Sequence, residues 1–286
     1  MALKVGIQLY SVRTEMEKDP IEAIRQVASI GYKNLEVANA RADADPGVGF
    51  DVPADKLREI LSGFGAHVVN GHIRPLDDTT APAILAYHES IGSKYIGQSA
   101  DFFTGYDQLM ERCEYYNHMG ALCAGHGMKF VYHNHYHEFQ TIGGKRVLDL
   151  ILENTDPETV CFEIDTFWVM RGGEDPVEVM KTVGSRLKFV HQKDFSKTSK
   201  TPVNLFESLR SKTELITRDT FGGAAQPEDF CEVGTGTMEI QNIIDTANDL
   251  GAEYIILEQD HTRLNPMESI QISMDSFRKY SGILWE

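Results

Sequence analysis

Short apolar runs alternate with longer amphipathic runs along the whole of this chain, the trace that repeated βα units and a parallel sheet leave in a sequence. Eight runs read as strands: VGIQLY (5–10), NLEVAN (34–39), HVVNGHI (67–73), YIGQSA (95–100), KFVYHNH (129–135), VCFEID (160–165), KFVHQKD (188–194) and YIILEQD (254–260). The stretches between them carry helix punctuation. Asp19-Pro20 opens the first helix and Gly31-Tyr32 closes it; Asp175-Pro176 and Asn265-Pro266 open the sixth and the eighth. Gly65, Gly92, Gly127 and Gly251 each stand between a helix and the next strand. Right-handed crossovers repeated eight times close a barrel. The alternative, a doubly wound open sheet, carries a glycine-rich fingerprint after its first strand, and GIQLYSVR has none. The predicted fold is α/β, a single-domain (β/α)8 barrel over residues 1–286, and that length suits the roughly 250 residues typical of one.

One segment breaks the rhythm. Residues 196–237 separate the seventh strand from its helix, with Gly222-Gly223, Gly234-Thr235-Gly236 and weak periodicity. Loops this long in a compact domain usually serve function, and one that follows a strand lies on the face where barrel active sites are built. Gly234 and Gly236 could shape a phosphate-binding turn, but a bare GTG tripeptide does not support phosphate on the substrate.

Strand ends are where the chemistry should sit, because the C-terminal ends of barrel strands look into the mouth. Those ends read Gln8 and Tyr10, Glu36, His72, Gln98, His133 with His135, His137 and Glu138, Glu163 and Asp165, His191 with Lys193 and Asp194, then Glu258 with Asp260 and His261. Six of the ten histidines, His72, His133, His135, His137, His191 and His261, fall at or just past these ends. His67, His88, His118 and His126 fall at strand starts or on helices and read as structural. Carboxylates and imidazoles gathered at a low-dielectric cavity are costly to desolvate unless paired or bound to a cation. Asp165 and Glu258 supply oxygen and His191 nitrogen, so Mn²⁺ is the first choice of ion, with Mg²⁺, Co²⁺, Fe²⁺ or Zn²⁺ as alternatives. Trp168 could floor a sugar pocket with its apolar face, or pack under the sixth helix as a core aromatic.

Charge narrows the partners. A formal net charge of −16 opposes any binding that rests on neutralising phosphates, which excludes nucleic acid. Cys113, Cys123, Cys161 and Cys231 form no CxxC pair and read as free thiols of a reducing compartment. MALKVGIQLYSV enters a strand without a signal-peptide pattern, and no window approaches a membrane span, so a cytoplasmic protein with no membrane partner is expected.

GIQLYSVR, IGYKNLE, YHNHYHEF, DTFWV, VHQKD, EVGTGTM and LEQD, in this order over nearly the whole chain, resemble the xylose isomerase-like TIM barrel superfamily, the sugar phosphate isomerase/epimerase group. The resemblance implies four metal ligands from strands five to eight, Glu138, Asp165, His191 and Glu258, with the two glutamates doubling as acid and base. Strand five stays open, since His133 and His135 share a face by alternation and either could take the first glutamate's place. Two departures bear on substrate: Asp165-Thr166-Phe167-Trp168 stands where many relatives read Asp-Thr-x-His, and the strand-seven loop is enlarged. The expected function is a metal-dependent sugar isomerase or epimerase, abstracting a proton α to a carbonyl through a cis-enediolate. Glu258 and Glu138, or His135 or His133, act as acid and base and Lys193 steadies the enediolate; Tyr10, Glu36, His72, Trp168 and Glu163 contact substrate. The runner-up is a lyase or dehydratase on keto sugars, resembling inosose dehydratase or the catalytic subunit of C-glycoside-cleaving enzymes. An abasic-site DNA endonuclease would need a basic groove that the charge opposes. A non-catalytic sugar-binding barrel is the remaining class. The partner expected is a small carbohydrate, and a homo-oligomer or a small partner subunit is compatible with the resemblance.

Overall fold

The computed structural model describes residues 2–208 and 211–285; Leu209 and Arg210, inside the enlarged loop, lie outside the described residues. Eight parallel strands form the barrel: β1 Leu3–Gln8, β2 Asn34–Asn39, β3 His67–Ile73, β4 Tyr95–Gln98, β5 Lys129–His133, β6 Val160–Asp165, β7 Leu187–Gln192 and β8 Tyr254–Leu257. Each pairs with the next, and β8 returns to β1 with Val5 opposite Ile255 and Ile7 opposite Leu257, which closes the cylinder. A short strand, Ile283–Leu284, also joins β1 near its start.

Eight main helices follow the strands in turn: α1 Pro20–Ile30, α2 Ala54–Phe64, α3 Ala81–Ser90, α4 Tyr106–Gly125, α5 Val147–Asn154, α6 Pro176–Val183, α7 Ile240–Leu250 and α8 Pro266–Phe277. The punctuation read from sequence is the punctuation used. Asp19, Asp175 and Asn265 cap α1, α6 and α8 by accepting a backbone N–H, each with proline next, and Gly65 and Gly251 close α2 and α7 in the left-handed conformation.

Alternation along the strands divides the molecule into an outer and an inner core. Outward residues such as Ile7, Leu35, Val68, Ile96, Phe130, Phe162, Val190 and Ile255 pack beneath the helices. Inward residues form layers. The lowest is apolar, made of Val69, Tyr95, Val131, Cys161, Phe189 and Ile256. Above it the inward positions turn polar while still buried, among them Gln8, Glu36, Asn70, His133, Glu163 and His191. The ladder shifts register at Leu35/Glu36 and again at Phe162/Glu163, so both buried glutamates follow an irregularity of the kind that re-aims a side chain.

Five predicted strands overshoot. The first, fourth, fifth, seventh and eighth were expected to reach residues 10, 100, 135, 194 and 260, and the ladders stop at Gln8, Gln98, His133, Gln192 and Leu257. Beyond these points the backbone leaves the ladder to bring polar side chains over the mouth. The enlarged loop is built rather than loose. Asp194–Phe195 pairs antiparallel with Phe230–Cys231, and Phe195, Leu205, Ile216, Ala224 and Phe230 make a second small core with Tyr136, Phe167 and Trp168.

Candidate active site

The polar layer is a connected network. Gln8 Nε2 donates to Glu36 Oε1 at 2.7 Å, and Asn70 Nδ2 donates to Glu36 Oε2 at 2.6 Å. Glu36 Oε1 lies 2.7 Å from His191 Nε2, and Glu163 Oε1 lies 3.1 Å from the same nitrogen. Glu163 Oε2 reaches His72 Nε2 at 2.6 Å and His133 Nδ1 at 3.1 Å. Burial raises the Glu36 carboxyl, reinforced by the Glu163 charge. Against the same desolvation, His191 and His72 hold Glu163 well below its ordinary range. His191 is raised because Glu163, Glu36 and Glu258 together outweigh its burial. His133, by contrast, is pushed down to about 4 by burial and is neutral at pH 7.

Two histidines thus have one nitrogen held from below and the other turned upward. His133 Nε2 lies 4.0 Å from Asp165 Oδ2, while His191 Nδ1 lies 3.9 Å from Asp165 Oδ2 and 3.1 Å from Glu258 Oε2. His133, Asp165, His191 and Glu258 offer ligand atoms that all lie within 4.8 Å of one another, a spacing that suits one cation. Asp165 is fixed by its other oxygen, which caps the Thr166–Arg171 helix by accepting the Trp168 N–H at 3.0 Å. The ammonium of Lys193 occupies the same carboxylates, bonded to Asp165 Oδ2 at 2.5 Å and to Glu258 Oε2, with Asp260 at 3.8 Å. Those acids raise Lys193 against the pull of desolvation, and Lys193 and His191 hold Glu258 low against its own burial.

The donor set fits a divalent ion. Two imidazoles and two carboxylates without thiolate match the borderline and hard metals, and each histidine carries the carboxylate support that metal-bound histidines almost always have. Lys193 shows that the spot already holds positive charge. A second overlapping group, His72, His133, Glu163 and His191, has suitable spacing too. There the carboxylate already accepts from the histidines, which is the arrangement of a support rather than of an open site.

Above this floor opens a cavity of about 810 Å³. Among the expected residues, Gln8, Tyr10, His72, His133, His135, Trp168, Glu258, Asp260 and His261 line it. Glu36 and Glu163 do not, being fully buried in the network beneath, so the structure places them as supports for His133 and His191 instead of substrate contacts. Glu138 does not join the group either. The chain turns through His137–Phe139 after β5 and points Glu138 back toward the outward-facing Tyr132, whose hydroxyl donates to Oε1 at 2.8 Å while the His135 N–H donates to Oε2 at 2.9 Å. The strand-five member of the group is His133, the alternative that alternation left open.

His135 is half-buried, lowered by desolvation and therefore neutral, and its Nδ1, itself buried, has no hydrogen-bond partner among the described residues. Its ring faces Trp168 and Phe221 at 5.6 and 5.4 Å. Trp168 packs in the second core, only 6% exposed, and its remaining surface forms part of the cavity wall. Gln98, His137 and Asp194 are structural: Gln98 bonds Tyr115, and His137 bonds the Asp101 carbonyl. Asp194 gathers the N–H groups of Gly234, Gly236 and Met238. Those amides are therefore spent on a side chain, and the GTG turn is not a phosphate cradle. Arg13, Arg41 and Arg74 also line the cavity. Sequence reading missed them because it followed acids and histidines; the signal was Arg74 directly behind the third strand.

The xylose isomerase-like TIM barrel family matches residues 24–280, in keeping with the closed parallel barrel, and the chain belongs to it. Among its relatives, an inosose dehydratase of Clostridium perfringens is 30% identical over 157 residues, 53% of this chain and 48% of that protein, so this chain spans about half the length of that relative. An inosose dehydratase of Mesomycoplasma hyopneumoniae is 24% identical over 92% of this chain and 89% of its own. A solved sugar phosphate isomerase/epimerase from Parabacteroides distasonis superposes with a TM-score of 0.76 at 22% identity, covering 99% of this chain and 96% of its own. An IOLI protein solved with a zinc atom superposes at 0.67 with 13% identity, covering 96% of both chains. At these identities the structural likeness shows the fold alone.

Proposed function

We propose that this protein is a metal-dependent enzyme that removes a proton α to the carbonyl of an oxidised sugar. The observation that carries it is the pair of buried histidines, His133 and His191, each backed by a carboxylate and turned toward Asp165 and Glu258 at the floor of the cavity. These four would hold the ion, with Mn²⁺ as first choice and zinc, the metal of one structural neighbour, as the rival. When bound, the metal acts as a Lewis acid that favours negative charge on a carbonyl oxygen.

The chain's own residues do the rest. His135, neutral and part of the cavity wall, would take the α-proton as a general base. Lys193, buried beneath the cavity and bonded to Asp165 and Glu258, adds a fixed positive charge to the floor over which the enolate oxygen would sit. Trp168 and Phe221 present apolar faces to the sugar's C–H groups and keep water off the reacting carbon.

The enolate has two fates. It re-forms the carbonyl while the β C–O bond breaks and the departing hydroxide takes up a proton as water, or it is reprotonated at carbon to give an epimer or isomer. The withdrawal of Glu138 favours elimination, because a symmetric pair of glutamates for returning the proton is not assembled at the cavity. The names of the two relatives point the same way. Epimerisation remains the second reading, supported by the name of the structural neighbour. Incubating the Mn²⁺-loaded protein with inososes, 3-keto sugars, ketohexoses and the uronate and phosphate forms of these keto sugars in D₂O separates them. Enone formation with water release supports the dehydratase, deuterium uptake without fragmentation supports the epimerase, and neither result with any of them overturns the proposal. Glu258→Gln should lower turnover by about 10²-fold or more.

A further inference from the structure

The cavity wall carries arginines on one side and aromatic rings on the other, with Glu17, Glu258 and Asp260 also in its lining. Arg13, Arg41 and Arg74 come from the segments after β1, β2 and β3, while Trp168, Phe221 and Phe230 come from those after β6 and β7, across the mouth. Two of the arginines are engaged. Arg13 donates to the carbonyls of Tyr10 at 3.0 Å and Asp260 at 2.7 Å and lies over the Tyr10 ring. Arg41 faces Asp51 at 3.4 Å. Arg74 is different: its guanidinium is partly buried in the cavity wall and makes no hydrogen bond or ion pair with any described residue.

Its charged neighbours do not complete it. Arg218, on the enlarged loop, repels it; Asp101 attracts it but is already committed to Arg112 and to the Tyr116 hydroxyl. A half-desolvated guanidinium with a like charge nearby is unfavourable until an anion completes its planar fork. In a chain of net charge −16 the cavity lining sets three arginines against the three carboxylates Glu17, Glu258 and Asp260, so this wall is balanced in charge and opposes an anion less than the acidic surface around it.

We propose that Arg74 reads an anionic substituent of the substrate, a sugar carboxylate or a sugar phosphate, across the mouth from Asp165 and Glu258. The inference rests on the carbohydrate reading above and sharpens it to an acidic sugar. Calorimetric titration of the full, metal-loaded chain with D-glucose, D-glucuronate and D-glucose 6-phosphate tests it. At least one acid should bind about ten-fold or more tightly than glucose, and which one does so separates carboxylate from phosphate. Arg74→Gln should abolish that preference with metal content and melting temperature unchanged. Arg74→Lys, which keeps the charge and loses the fork, should retain a reduced preference, and it carries the test if the glutamine variant does not fold. Equal or absent binding of both acids, or a preference untouched by either substitution, overturns the proposal. Glu258→Gln keeps the two readings apart, since it should stop proton removal and leave the anion preference in place.

Discussion

Glu163 touches no part of the cavity, yet it contacts both upward-turned histidines and His72. A carboxylate in that position fixes which ring nitrogen carries the proton and strengthens the other as a donor. Glu163→Gln should therefore weaken metal binding about 10- to 100-fold while leaving the cavity lining intact. Competition against a chelator measures this directly, and unchanged affinity would mean that the polar layer is only a filler of the barrel. The roles of these glutamates were not legible in sequence. Glu36 and Glu163 look like any other acid near a strand end, and only the two register shifts and the depth of the layer distinguish a support from a substrate contact.

At the scale of elements, the enlarged loop is tied to the barrel through Asp194. Its two oxygens accept the N–H groups of Phe195, Gly234, Gly236 and Met238, which pulls the end of the loop against the seventh strand. Gly236 leaves no room for more: an added Cβ would lie 2.2 Å from Asp194 Oδ1 and 2.4 Å from the Phe195 carbonyl. Gly236→Ala is expected to destabilise the protein by about 1–3 kcal/mol, read as a fall in denaturant midpoint. Since the loop also carries Phe221 and Phe230 into the cavity wall, substrate affinity should fall in the same variant. Sequence located this segment by its length and its glycines, but the carboxylate that organises them lies forty residues earlier in the chain.

Across the whole molecule, stability should respond to acid through His88. This histidine is fully buried on α3, and desolvation pushes it down to about 4. Between the ordinary 6.5 and that value the unfolded chain takes up a proton that the folded chain refuses. Stability contributed by the neutral ring is complete above pH 6.5 and declines as pH falls through this window, by up to about 1.4 kcal/mol per pH unit. Urea unfolding at pH 6.5 and pH 4.5 should show a steeper loss in the wild type than in a His88→Leu variant; equal losses would remove His88 as the cause. No described helix is long and apolar enough to cross a membrane.

The amino-acid sequence by itself determined the barrel. Alternation of apolar runs, aspartate–proline and asparagine–proline helix starts and glycine stops are local signals, and local signals suffice when every unit is a strand, a turn and a helix. It also determined which strand ends carry Asp165, His191 and Glu258, because period-two alternation assigns faces without tertiary information. What only the tertiary structure decided was which polar groups share space. His133 joins the cluster and Glu138 leaves it because the chain stops being a strand between them, and Arg74 stands alone because Asp101 is taken by Arg112. Pairing of side chains from different strands depends on depth, register and competition for partners, and none of these is written at any single position of the chain.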